Sequence, residues 1–214
     1  MTRIVDLTMT WPDVPTYPGH PEPMIYRTAT FKENGKQVSK LEIGTHSGTH
    51  IDAPRHYVEG GGTVEHIPLD QMCGPALLLD LTRHPIGPIG ATTHLIEAAR
   101  GRSVKRLLLR FDGDKRLGSM DYYFGQPWLT EDAARWLVDN GCKLIGMDTP
   151  MPDGPEDIKT MPVHKILLGA GVVIAEYLVN LAAIKAETFQ LIVAPLKIKD
   201  GDGAPARCFA IVED

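Results

Sequence analysis

Short apolar runs, each closed by glycine, proline or charge, recur along the 214 residues. They are PALLLDL from Pro75, RLLLRF from Arg106, KLIGMD from Lys143, GVVIAEYL from Gly171, LIVAPL from Leu191 and RCFAIVE from Arg207. Their length and punctuation predict largely buried strands. The run from Gly171 is the least decided, because it could turn helical after Glu176. Helical patterns fall between these runs. TTHLIEAARG (92–101) closes on Gly101, and LTEDAARWLVDNG (129–141) opens on Thr130 as an N-cap. In the second, Glu131 and Asp132 suit the positive end of the helix and Gly141 the C′ position. Alternating strand and helix predicts an α/β fold. The expectation is one compact domain over 1–214, with a mixed, largely covered β-sheet flanked by helices. The first third departs from this pattern. Rich in Pro, Gly, Thr and His, it reads as loops and short strands carrying a site.

Composition narrows the function classes. Hydrophobic residues make up 43% and charged residues 23%, an ordinary globular balance. A net charge of -5 with no run of Lys or Arg argues against a nucleic-acid partner. Cys73, Cys142 and Cys208 form no CxxC pair, which fits reduced thiols, and the apolar surroundings of Cys142 and Cys208 predict burial. The N-terminal residues lack the apolar run of a signal peptide, and no stretch approaches the roughly 20 apolar residues of a membrane helix. The expectation is a soluble, cytoplasmic protein with no membrane partner.

Candidate chemistry concentrates in GTHSGTHIDAPRH, residues 44–56. His46, His50, Asp52 and His56 are ligand types for a divalent metal. A helix would align His46 with His50, but Ser47, Gly48, Thr49 and Pro54 oppose one. An extended chain would put all four on one face, yet six residues at about 3.3 Å would separate His46 from Asp52 by roughly 20 Å. Ligands to one site therefore require a bent segment, with Gly48 placed to permit the bend. Other polar residues attract less. His20, His84 and His94 are expected to face solvent, while His66 could approach the pocket from the glycine-rich stretch at 60–62. That stretch lacks the Lys-Ser/Thr of a phosphate loop, and DGDG at 200–203 lacks further calcium ligands and reads as a turn. Asp148 fits either support of the site or a strand-end cap.

The segment resembles the HxGTHxDAPxH signature of the cyclase family, which includes bacterial kynurenine formamidases and isatin hydrolases. The resemblance continues through GGGTV, KLIGMDTP, PVHKILL, IAEYLVNL and PLKIKDGDGAPARC, and so covers most of the chain. It implies a swivelling β/β/α-like fold and a pair of divalent ions held by His46, His50, Asp52, His164 and Glu176, whose N and O donors suit zinc and manganese alike. By the same resemblance, Asp52 and Glu176 bridge the ions and His56 is the catalytic proton carrier. Burying Glu176 unpaired within VVIAEYL would be costly, which agrees with a bridging role.

A metal of this kind lowers the pKa of bound water from about 15.7 to about 7, on the order of 12 kcal/mol of nucleophile activation. The expected function is hydrolysis of an amide-type C–N bond other than a peptide bond (EC 3.5.-.-) by metal-bound hydroxide. A cyclic amide, a cyclic imide or an N-acyl or N-formyl amide would serve as substrate. His56 would pass the proton to the departing nitrogen. Arylformamidases of the family carry Trp before the Pro-Gly, where TYPGH (16–20) has Tyr17 as the candidate substrate contact, so kynurenine formamidase proper ranks second. A non-catalytic metal-binding protein is the alternative of another class. The resemblance also implies a homodimer or higher homo-oligomer. Trp11, Phe124 and Trp128 are weaker pocket candidates, better suited to packing.

Overall fold

The computed structural model describes residues 1–13 and 16–213. Its strands, in chain order, are β1 Thr2–Asp6, β2 Met24–Ala29, β3 Val38–Glu42, β4 His50–Asp52, β5 Cys73–Asp80 and β6 Pro88–Ile89. They continue as β7 Arg106–Arg110, β8 Trp128–Leu129, β9 Leu144–Met147, β10 Val173–Glu176, β11 Thr188–Pro195 and β12 Gly203–Glu213. All six apolar runs are strands: β5, β7, β9, β10, β11 and β12. The run from Gly171 does not turn helical. Tyr177, directly after β10, takes the left-handed conformation (φ 57°), from which a right-handed helix cannot continue.

The sheet is mixed, as expected, and it is closed. β5, β7, β9 and β10 run parallel, while β4, β11 and β12 pair antiparallel with their neighbours. The order β12-β11-β5-β7-β9-β10-β4 returns to β12 through a second β4 pairing, making a barrel, and β1 extends it outside β12. β12 closes the ring because it is long: Gly203–Pro205 pair with β4, and Ala206–Ile211 pair with β11. Closure leaves these strands few unpaired edges. The period of apolar residues predicts strands and a covered sheet but carries no information on closure.

Alternation along the strands sorts side chains into two cores. Leu78, Leu108, Leu144, Val173, Ala175, Ile51 and Cys208 fill the barrel. Leu77, Leu79, Leu107, Leu109, Ile145 and Ile174 point outward, onto Leu95, Ala133, Leu137, Val163 and Leu167 of the covering helices. Each fully buried leucine contributes about 1.5–3 kcal/mol. Two helices matter most. Glu131–Asp139 begins at Thr130, whose hydroxyl accepts from Ala133 N as the sequence predicted. Pro162–Gly169 starts at proline and carries His164 on its buried face. The segment 92–101 is a π turn at Ala91–Leu95 followed by a short helix, Ile96–Ala99, ended by Arg100 in the left-handed region. Cys142 and Cys208 are buried, as expected. Among the described residues, no helix is long and apolar enough to cross a membrane.

Candidate metal centre

β4 and β10 pair antiparallel with His50 opposite Glu176 and Asp52 opposite Ile174. Ile51 and Ala175 belong to the barrel interior, so His50, Asp52 and Glu176 project from its outer face. There they meet the helix Pro162–Gly169 and its His164. His50, Asp52, His164 and Glu176 are all at least 96% buried. Thr49 locks the two strands: its hydroxyl donates to Tyr177 O at 2.7 Å and accepts from Met9 N at 3.0 Å.

The segment before β4 bends as the spacing required. Residues 45–49 form turns, and Gly48 adopts φ 59°, which folds His46 back over the strand. His46 Nδ1 lies 2.7 Å from Asp52 Oδ1 instead of an extended chain's roughly 20 Å. Pro54–His56 then form a 3-10 turn that brings His56 against His46, with ring centroids 3.9 Å apart and stacked.

Two carboxylates and two imidazoles close a ring. Asp52 Oδ1 and Glu176 Oε2 lie 3.3 and 3.5 Å from His50 Nε2. Asp52 Oδ2 and Glu176 Oε1 lie 3.4 and 3.3 Å from His164 Nε2. Each carboxylate thus faces both imidazoles. His50 Nε2, Asp52 Oδ2 and Glu176 Oε1 are buried with no hydrogen-bond partner, and leaving such atoms unmet is costly. Burial and the neighbouring Asp52 charge raise the Glu176 carboxyl. Burial opposes ionisation of Asp52 as well, but the imidazoles, His46 foremost, hold that carboxyl well below its usual range. Two buried acids facing two imidazoles and three unmet polar atoms fit a divalent cation bound between them.

The histidines are held from behind. His50 Nδ1–H donates to Gly48 O at 2.8 Å, and His164 Nδ1 lies 2.5 Å from Asp153 Oδ2. Asp153 also accepts from Val163 N and His164 N, capping the helix that carries His164. His46 Nε2 lies 2.9 Å from Asp202 Oδ2. Burial works against a charge on His46, but Asp52 and Asp202 outweigh it and raise the imidazole to about 10. His56 lies outside the carboxylate ring, its side chain 23% exposed, and burial lowers it to about 4.

His46, His50, His56, His164 and Glu176 line a cavity of about 100 Å3 with Asp52 directly behind them, and Tyr17, His20, Tyr57, Met151, Met161 and Tyr177 complete its wall. All seven residues singled out for the site therefore come together. Other expectations need correction. His20 is exposed but reaches the cavity, 6.4 Å from the His46 ring. His84 and His94 are half-buried, their Nε2 atoms 2.8 Å apart. His66 points away into solvent, its side chain 78% exposed, and bonds Thr63. Asp148 serves a strand end, accepting from Phe111 N at 2.9 Å beside Asp112 and Asp114. Asp153 and Asp202 went unrecognised. The helix cap of Asp153 spans ten residues and has no local signature, while the DGDG turn holds one acid that faces inward.

The family model described as "Putative cyclase" matches residues 5–154. A kynurenine formamidase of Bacillus mycoides is 34% identical over 197 residues, 91% of this chain and 90% of its own length. The solved structure titled a potential metal-dependent hydrolase with cyclase activity superposes with a TM-score of 0.81 at 30% identity, with both chains fully covered. Isatin hydrolase A from Labrenzia aggregata superposes with a TM-score of 0.86 at 27% identity, covering 100% of this chain and 94% of that one.

Proposed function

The chain belongs to the cyclase family, and from that premise we propose that it is a divalent-metal-dependent hydrolase of amide-type C–N bonds. The observation that carries this reading is the closed ring in which Asp52 and Glu176 each face both His50 and His164. His46, His50, Asp52, His164 and Glu176 would hold the metal, two ions being our reading of their number and zinc or manganese of their type. When bound, such an ion lowers the pKa of water and polarises a carbonyl oxygen.

The chain's own residues account for the remaining tasks. His56 stands at the cavity wall, half-buried and clear of the carboxylate ring, where its imidazole can take a proton and return it to the departing nitrogen. Tyr17, Tyr57 and Tyr177 offer flat apolar faces, and Met151 and Met161 fill the gaps between them, as suits a planar substrate. Among the described residues no Lys or Arg lines the cavity, and its small volume favours a compact, uncharged amide. We rank cyclic amides, cyclic imides and small N-acyl or N-formyl amides first. The kynurenine formamidases similar to this chain support an aryl formamide as the second reading. Among the described residues the β2–β3 ribbon pairs with no other strand, and it exposes Met24, Tyr26, Val38 and Leu41. Because two strands alone are marginal in water, this supports a homo-oligomer, a dimer at its simplest.

The test strips the protein with a chelator, reloads it with zinc or manganese, and assays N-formyl aromatics, isatin-like lactams and cyclic imides. Turnover should vanish on stripping and return on reloading. Undiminished turnover in the stripped protein would overturn metal dependence. Stoichiometric metal without turnover across the panel would favour the non-catalytic alternative.

A further inference from the structure

Each imidazole that faces the carboxylate ring has an acceptor behind it, and comparing those acceptors separates His46 from the other two. His50 and His164 are gripped at Nδ1, by Gly48 O and Asp153, and turn Nε2 toward Asp52 and Glu176. His46 is turned the other way: Asp202 takes Nε2 at 2.9 Å, and Nδ1 faces Asp52. A ligating histidine ordinarily gives its second N–H to such an outer acceptor, which fixes the nitrogen that remains for the metal.

We infer that Asp202 is the positioning residue for His46, holding its Nε2–H so that this ring, unlike His50 and His164, presents Nδ1 to the cation site. The inference rests on the metal-dependent reading above and assigns a residue that reading does not use. Two further contacts tie Asp202 into place. Its backbone carbonyl accepts from Ala53 N at 2.9 Å, just beyond β4. Its Oδ2 also lies 3.6 Å from His56 Nδ1, so one carboxylate spans the stacked pair of His46 and His56. Gly203 follows it directly, and a Cβ there would stand 2.6 Å from His46 Cε1 and 2.7 Å from Ile51 O. The acid and the glycine act as a unit: one grips the ring, and the other leaves the space in which the ring lies.

The test compares wild-type protein with Asp202→Ala and Asp202→Asn after chelator treatment, titrating zinc or manganese by calorimetry and measuring turnover separately. Asp202→Ala should weaken metal affinity or activity by about 10- to 100-fold. The loss should fall on metal affinity and kcat, with KM little changed. Asp202→Asn keeps a carbonyl acceptor and should recover part of the loss. In the zinc-loaded wild type, long-range proton–nitrogen spectra of ring-labelled histidine should show His46 protonated at Nε2 and metal-shifted at Nδ1, with the assignments of His50 and His164 reversed. Metal affinity within twofold of wild type in Asp202→Ala, or zinc on His46 Nε2, would overturn the inference while leaving the hydrolase reading intact. A wild-type protein that binds no divalent ion would instead sink both.

Discussion

His56 carries the clearest single-residue test of the chemistry. It stacks on His46 but lies outside the ring of Asp52, Glu176, His50 and His164, so its removal spares every proposed metal ligand. His56→Ala should therefore bind metal as wild type does while kcat falls by about 10²- to 10⁴-fold, the usual worth of a positioned acid–base group. Metal content by atomic absorption and kcat by steady-state assay check the two halves separately. A wild-type rate in a fully loaded variant would remove His56 from the mechanism. The residue scale is also where the sequence spoke most plainly. Three histidines and an aspartate within eleven positions announced a site, and the impossibility of a straight strand announced the bend that Gly48 makes. Asp202 and Asp153 were illegible for a physical reason. An outer acceptor needs only a carboxylate of the right height behind a ring, a condition set by tertiary packing and marked by no local spacing.

At the scale of elements, the two well-formed helices separate local from tertiary stabilisation. Thr130 caps Glu131–Asp139 with its own hydroxyl, a local device that the pattern of residues 129–141 already displayed. Asp153 caps Pro162–Gly169 from ten residues away and grips His164 as well. Thr130→Ala should cost about 1 kcal/mol in urea denaturation and leave metal affinity unchanged. Asp153→Ala loses a comparable cap and also frees His164, so it should cost more and weaken metal binding by about 10- to 100-fold. Equal metal affinity in the two variants would mean that Asp153 is only a cap. The strands repeat this division. The runs in β5, β7, β9 and β10 were legible as strands because burial on both faces leaves a continuous apolar signature, and those in β11 and β12 because buried positions alternate with more exposed ones. The barrel's closure was not, because it depends on β12 reaching both β11 and β4, a matter of length and curvature and not of residue type.

For the whole molecule, two linked equilibria follow from the buried acids. Asp148 lies away from the cavity, and burial, helped by Asp114 and Asp112, raises its carboxyl from 3.8 to about 7. A carboxyl raised in the folded state contributes stability that is complete below pH 3.8 and lost as the pH climbs through about 7. Between pH 5 and pH 8 the wild type should therefore lose up to about 3 kcal/mol relative to Asp148→Asn. Parallel denaturation curves at the two pH values measure this difference, and a constant gap between the proteins would refute it. The second equilibrium couples the site to the barrel itself. Asp52 and Glu176 sit on adjacent strands of the closed sheet, so repulsion between them acts directly on the β4–β10 pairing that completes the ring. A divalent cation bound only to the folded chain relieves that repulsion and adds about 2.7 kcal/mol at a hundred times its Kd. For a chain of this length each kcal/mol moves Tm by roughly 2–4 °C, so saturating zinc or manganese should raise Tm by about 5–10 °C over the stripped protein. Calorimetric scans of stripped and reloaded protein read this shift directly. Asp52→Asn should abolish the shift and lower the Tm of the metal-free form, because the carboxylate that the imidazoles hold below its usual range contributes stability the amide lacks. A metal-free Tm that rises instead would show that repulsion between Asp52 and Glu176 outweighs the facing imidazoles.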